Sequence, residues 1–454
     1  MTRISLGHLK HCSLPWHFVW LLGCVLFAGS CATTAKMNKA FHRQIEESQV
    51  FQSAFTGFAL YDPEQEQWLI QHHADKYFTP ASNMKLFTFY LSNHLNKAFL
   101  PALVYEEVGD SLLFWGTGHP GMLHPWLPAD SSVLTLLRRY EGKLFFCPAN
   151  FADKRFGPGW AWDDYPWYYQ AEKAPLPLYG NLVYIQHDSS QLGFSIIPKR
   201  FCDSTHLDPY AHWPSVRWHR AECHNTFTYN PPATSGSTYH TEIPFRWSAQ
   251  LAAQLLSDTL QRPVEVLALP LWPSEQALVL YAAQPADSIY QLLLHDSDNF
   301  IAEQLLLLCS YVLTDTLDSQ KAISWALDSL LADLPDRPLW VDGSGLSRYN
   351  MVTPRTMVVL LDKLLREIPP RRLFQLLPAG GRDGTIANWY AGPKGPFVFA
   401  KTGTLRNKHC LSGYLRTASG RLLIFSFMHN NFPGSNTAYK REMERLLEQI
   451  YLQY

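Results

Sequence analysis

Apolar positions recur along the chain in two periods, and the period changes several times. Phe55 to Tyr61 reads as a strand, a turn follows at Asp62-Pro63-Glu64, and Trp68 to Gln71 reads as its hairpin partner. A helix is predicted directly afterwards, with Thr79 as cap, Pro80 at the first helical position, and Met84, Leu86, Phe87 and Leu91 as apolar positions. From about 92 to 240 the texture shifts to short strands (Leu112 to Trp115, Leu144 to Cys147, Leu182 to Gln186) between loops rich in Pro, Gly, Asp and rings. Helical spacing returns near Trp247 to Leu260 and from Phe300 to Leu313, and Thr353-Pro354 opens a further helix through Met357, Val358, Leu361 and Leu364. Phe397 to Leu405, Leu411 to Arg416 and Leu422 to Met428 read as three successive strands. A last helix sets Met443, Leu446, Leu447, Ile450 and Tyr451 on one face.

A strand pair and helix at the start, with a meander and helix at the end, predict one antiparallel sheet closed by both chain ends. The fold class is therefore α+β, with residues 37–91 and 241–454 forming one domain and 92–240 a mainly β insert. The length of 454 residues accommodates such a division. Composition narrows the function. Lys and Arg number 38 against 39 Asp and Glu, so there is no global basic field, which argues against nucleic acid as a partner. Aromatic residues reach 14%, with 15 Trp and 22 Tyr, a surplus of flat rings that suits an enzyme or a carbohydrate-contacting protein. No His or Cys spacing resembles a metal site, and no cofactor motif is present in the sequence.

The first thirty residues read as an address. Arg3 and Lys10 precede an apolar run from Leu14 to Ala28, too short and too early for a membrane span, so residues 1–30 are expected to be a secretory signal. Ala28-Gly29-Ser30 before Cys31 resembles a bacterial lipoprotein cleavage site, where Cys31 would be lipidated and form the only membrane attachment. Ordinary cleavage beside a coincidental cysteine is the alternative, and Cys24 after Leu21-Leu22-Gly23 is a second candidate. A secreted chain experiences oxidising conditions. Cys202 and Cys223 are close enough in sequence for one bridge, but most of the five, Cys147, Cys202, Cys223, Cys309 and Cys410, read better as small buried side chains.

Three short patterns carry chemistry. Ser82-Asn83-Met84-Lys85 places a hydroxyl and an amine on one face of a helix start, where a lysine of depressed pKa can take the serine proton. Ser297-Asp298-Asn299 offers a hydroxyl and an amide from a turn before a helix; in isolation it reads as an ordinary cap. Lys401-Thr402-Gly403, followed by Thr404, puts an ammonium and a hydroxyl on a strand, with Gly403 permitting close backbone approach. Each pattern alone is weak, but their order and settings together form the signature of serine β-lactamases and penicillin-binding proteins.

The chain resembles the class C low-molecular-mass penicillin-binding proteins, the D-alanyl-D-alanine carboxypeptidase/endopeptidase family. Thr79 to Lys85, Asp296 to Asn299 with Ala302-Glu303, Asp342 to Asn350, Leu377 to Gly380 with Asp383-Gly384-Thr385, and Gly157 to Asp164 carry that resemblance. It implies a penicillin-binding/β-lactamase-like transpeptidase fold whose large insert holds a smaller inner domain, for which 185–240 looks short. It implies Ser82 as nucleophile, Lys85 as base, and Ser297, Asn299 and Lys401 as catalytic partners. Ser82 and Thr404 would supply oxyanion N–H groups. Lys401 and Thr402 would bind the terminal carboxylate, and Gly403 would permit close approach of the substrate backbone. Asp164, with Asp163 beside it, would contact the stem-peptide side chain. The implied partners are peptidoglycan stem peptides, with β-lactams as inhibitors, in the bacterial periplasm. The rival expectations are a β-lactamase or esterase using the same trio, and a non-catalytic peptidoglycan-binding lipoprotein whose rings hold glycan. The rings from Trp160 to Tyr169 are equally readable as packing of the insert.

Overall fold

A computed structural model describes residues 39–96, 98–188, 193–210, 216–230, 238–267 and 269–454. The expected signal, Cys24 and Cys31 lie outside the described residues. After a helix over 39–47 come strands β1 (Phe55–Asp62) and β2 (Gln67–His72), then helix α1 (Lys85–Leu95). Helices α2 (Asn299–Thr314) and α3 (Pro354–Glu367) follow the insert. Strands β3 (Val398–Leu405), β4 (Lys408–Arg416) and β5 (Leu422–Asn430) precede the last helix, α4 (Thr437–Gln453).

These strands form one antiparallel sheet in the order β3-β4-β5-β1-β2, so both chain ends close it as the pattern predicts. The sheet is covered on both faces, and alternate residues of one strand serve different cores. In β5, Ile424 and Met428 join the cluster under α1, α2 and α3, while Leu423, Phe425 and Phe427 join the one under α4. That double burial is why the strand reads as a near-continuous apolar run.

The insert is built mainly from strands, and it extends further than the sequence texture implies. Its five-stranded sheet runs Glu265–Val266, Lys143–Phe146, Ser111–Gly116, Phe99–Val108, Leu278–Pro285. Helix Ala249–Leu260 packs Leu255 and Leu256 onto this sheet's core with Leu103, Leu112 and Phe114. The insert's sheet thus draws on residues on both sides of the expected 240/241 boundary. The physical reason is that Leu278–Pro285 pairs antiparallel with Phe99–Val108, a partner far away in sequence. Within 185–240 the described residues contribute to two small three-stranded sheets, one centred on Leu182–His187 and one on Phe227–Tyr229. Cys202 and Cys223 are both free and exposed, so the considered bridge is not formed; Cys147, Cys309 and Cys410 are free and buried.

Polar contacts from α2 stitch the insert to the catalytic sheet's helices. The Gln304 amide donates to Gly118 O at 2.9 Å and Ala174 O at 2.8 Å, and accepts from Ala174 N at 3.0 Å. Lys173 pairs with Asp153 at 2.8 Å with both side chains largely buried. No helix among the described residues is long and apolar enough to cross a membrane.

Candidate active site

Ser82 is not yet in the α-helix. Ala81–Met84 form a 3-10 turn that runs directly into α1 at Lys85, and Thr79 makes no cap contact there. Ala81, just before the serine, has φ of +50°, a left-handed value that costs an alanine of order 1 kcal/mol or more. Surrounding backbone holds it in place. A methyl group built on Gly345 would lie 1.8 Å from Ala81 O, so only glycine lets the 343–345 loop press against this turn. Gly403 does the same from β3, where a side chain would meet Pro80 O at 2.3 Å. The Asn83 amide then ties the turn to the strand by donating to Lys401 O at 2.9 Å.

The three motifs converge on Lys85 and Ser297. Lys85 Nζ donates to Ser82 Oγ at 2.9 Å, Asn299 Oδ1 at 2.6 Å and Ser344 O at 2.8 Å. An ammonium has three protons, and all three are used. When Lys85 loses one, a contact must reverse. Ser82 is the only partner of the three with a proton to give, so deprotonation converts the pair into Ser O–H to amine N, the geometry of an activated nucleophile. Burial makes this accessible, lowering Lys85 to about 8 against the opposing pull of Asp298, Asp342 and Glu303. Repulsion between the lysines registers instead at Lys401, pushed well down by burial first and Lys85 second.

Ser297 follows a π-helical turn, Leu292–Asp296, and takes φ of +61°. Asp298 is the cap, accepting from Ile301 N at 2.8 Å, which frees the residues on either side to face the cleft. Lys401 Nζ donates to Ser297 Oγ at 2.7 Å and to Thr402 O at 2.9 Å. Thr402 Oγ1 donates to Thr385 Oγ1 at 2.7 Å, and Thr404 Oγ1 pairs with His409 Nδ1 at 2.9 Å. Asn299 Nδ2 donates to Tyr169 O at 2.9 Å, joining insert and motif.

Two adjoining spaces open here. A cleft of about 700 Å³ runs past Ser82, Ser297 and Asn299 to Asp163, Asp164 and Tyr169. A smaller one, about 330 Å³, lies over Thr402 and Thr404. A larger cavity, about 980 Å³, lies elsewhere, between Leu95–Pro101 and Val279–Ala283, and none of the motif residues lines it. The structure therefore brings Ser82, Lys85, Ser297, Asn299, Lys401, Thr402, Gly403 and Thr404 together, with Asp164 at the cleft's insert side. Asp164 accepts from Tyr169 Oη at 3.0 Å. Trp162, Trp167 and Tyr168 are mainly exposed, so this ring cluster is not the core of the insert.

Sequence reasoning missed the backbone acceptors. The carbonyl oxygens of Ser344 and Tyr169 hold Lys85 and Asn299, and neither has a side-chain signature. The loop carrying Ser344 is organised by Asp342. One carboxylate oxygen accepts from Gly345 N and Asn350 Nδ2, the other from Ser347 N and Trp160 Nε1. Ser344 Oγ accepts from Leu346 N and is fully buried, so this serine is a structural turn residue. Replacing Trp160 by Phe removes a 2.8 Å bond to a buried carboxylate. It is expected to lower stability by about 1–2 kcal/mol in chemical denaturation and to slow acylation of Ser82. An unchanged denaturation midpoint would mean the bond contributes nothing.

The chain is similar to D-alanyl-D-alanine carboxypeptidase DacB of Haemophilus influenzae, with 22% identity over 432 residues, 86% of this chain and 88% of that protein. It is 38% identical over 99 residues, 20% of this chain and 18% of the relative, to a D-alanyl-D-alanine carboxypeptidase of an Actinomadura species. The crystal structure of penicillin-binding protein 4 from H. influenzae shares the fold, with a TM-score of 0.72 at 20% identity, covering 88% of this chain and 97% of that one. Residues 137–450 match the D-Ala-D-Ala carboxypeptidase 3 (S13) family, to which this chain therefore belongs.

Proposed function

We propose that the chain hydrolyses the terminal D-alanyl-D-alanine bond of peptidoglycan stem peptides through an acyl-enzyme on Ser82, and that β-lactams acylate the same oxygen. Family membership supplies the reaction class. The observation that carries the assignment of residues is the Lys85 contact set, with three acceptors of which only Ser82 can donate in return.

Neutral Lys85 takes the Ser82 proton as Oγ attacks the penultimate D-alanine carbonyl. The N–H groups of Ser82 and Thr404 receive the developing oxyanion. Ser297, held at its Oγ by Lys401 at 2.7 Å, relays the proton that Lys85 took from Ser82 to the departing amine, which leaves both side chains as they began. Asn299 holds the substrate amide while orienting Lys85. Thr402 draws the terminal carboxylate to the β3 side, where the buried Lys401 holds the strand and Ser297 in place, and Gly403 lets the substrate backbone lie against the strand. Asp164 contacts the stem-peptide side chain. Water completes hydrolysis. The division that goes with this reading is an insert ending near 285, and the compartment is the periplasm, reached by a signal over 1–30 and retained by lipid at Cys31.

The test pairs labelled penicillin with a pentapeptide ending in D-alanyl-D-alanine. One slowly reversing label per chain, together with release of D-alanine, is expected. Rapid penicillin turnover without peptide cleavage would mark a β-lactamase. No label at all would mark a non-catalytic wall-binding protein and sink the proposal.

A further inference from the structure

The smaller cavity, about 330 Å³, is lined by an unusual set of groups. Ser82 and Ser297 line it together with three more hydroxyl-bearing residues, Thr385, Thr402 and Thr404. No carboxylate lines it. Its one lining cation is Lys440, from the first turn of α4, standing beside His409. Lys401 is fully buried and spends two of its protons on Ser297 Oγ and Thr402 O, so its ammonium stays behind the wall.

Lys440 is half-buried and has no carboxylate partner among the described residues. Its i+4 neighbour Glu444 accepts from the Tyr390 backbone N–H, and Glu442 is engaged by Arg445 at 2.8 Å. The Lys440 ammonium instead lies 5.5 Å from the centre of the Trp389 ring. Burial lowers its pKa with no acid to restore it. The imidazole beside it is neutral, since burial and the Lys440 charge itself push His409 down to about 3, so Lys440 is the one cation on this wall. A cation left unpaired at the mouth of a hydroxyl-lined pocket is arranged for an anion that arrives with a ligand.

We propose that Lys440 is the charge complement of the substrate's terminal carboxylate, which sits between the ammonium and the Thr385–Thr402 hydroxyl pair, and that it sets a preference for a free C-terminus on the departing residue. The inference rests on the Ser82 acyl-transfer reading and deepens its substrate end. It makes the leaving-group subsite a joint product of β3 and the C-terminal helix.

Two peptides decide it, identical except that the terminal D-alanine carries a free carboxylate or a carboxamide. Full-length protein is assayed for release of D-alanine and D-alaninamide, as wild type, K440M and K440R. For wild type the ratio of kcat/KM, carboxylate over amide, is expected to be large. In K440M that ratio falls about 10- to 100-fold, chiefly through KM, the scale of one charge-assisted contact. K440R, which keeps the charge, retains most of the ratio. A ratio unchanged in K440M overturns the assignment, and so does an equal loss on both peptides. If wild type neither takes penicillin label nor cleaves either peptide, the Ser82 reading falls first and this inference with it.

Discussion

Ser82→Ala is expected to abolish covalent penicillin labelling and to cut D-alanine release by about 10⁵-fold, the scale for removing a nucleophile that works as a unit with its base. The substitution deletes one oxygen whose side-chain hydrogen bond among the described residues is to Lys85, so the folded state should survive. Its remaining effect is local: a Lys85 proton loses its acceptor, which disfavours the ammonium further. No second hydroxyl can take over. Ser344 is fully buried with its oxygen committed to Leu346 N. Ser297 is the rival to exclude, because it lines the same cleft and is bonded by a lysine at 2.7 Å. Stoichiometric label retained in the Ser82→Ala protein, and mapped to Ser297, would reverse the roles of the two motifs.

Lys85→Met should lower the acylation rate by about 10³- to 10⁴-fold, the usual worth of a positioned general base. The pH profile separates this loss from simple damage. Lys85 acts as the neutral amine, and its pKa is lowered to about 8. Wild-type acylation should therefore climb roughly tenfold per pH unit below 8 and level off above it. The direction follows from the base having to be deprotonated before it can accept. In the methionine protein the residual rate should lose that inflection. A wild-type rate that stays flat from pH 6 to 9 would remove Lys85 from the proton transfer. Asn299 Oδ1 and Ser344 O also lose a donor in this variant, so a Lys85→Arg protein, which keeps a donor but not a usable base, is the companion measurement.

What could be read from the sequence was what local pattern encodes. The hairpin at Phe55, the meander from Phe397 and the amphipathic last helix each follow from a single period; the second and third motifs lie at the predicted helix entrance and strand, while Ser82 lies in a 3-10 turn before the helix. What could not be read depends on contacts between distant segments. The strand Leu278–Pro285 has largely exposed side chains and gains its place only by pairing with Phe99–Val108, so the end of the insert was misplaced. Ala81's left-handed backbone is imposed by Gly345 and Gly403 packing against its turn, neither of which is local to it. The Ser344 and Tyr169 carbonyls belong to the main chain and leave no residue-type signal. Lys440 escaped because helix reading attends to the apolar face, and this lysine matters for what its polar edge meets.

Strand β5 has one further implication, and it concerns timing. Among the described residues it is the strand that joins β3 and β4 to β1 and β2, and its register sets Phe55 opposite Asn430. Closing a loop of that length is slow and entropically costly, and it cannot begin until residue 430 has left the ribosome. A nascent or truncated chain can carry Ser82 and Lys85 in a formed helix yet have no β3 edge against which to place a peptide. Hydrolytic competence therefore arrives in one late step, once β5 has been made and paired with β1.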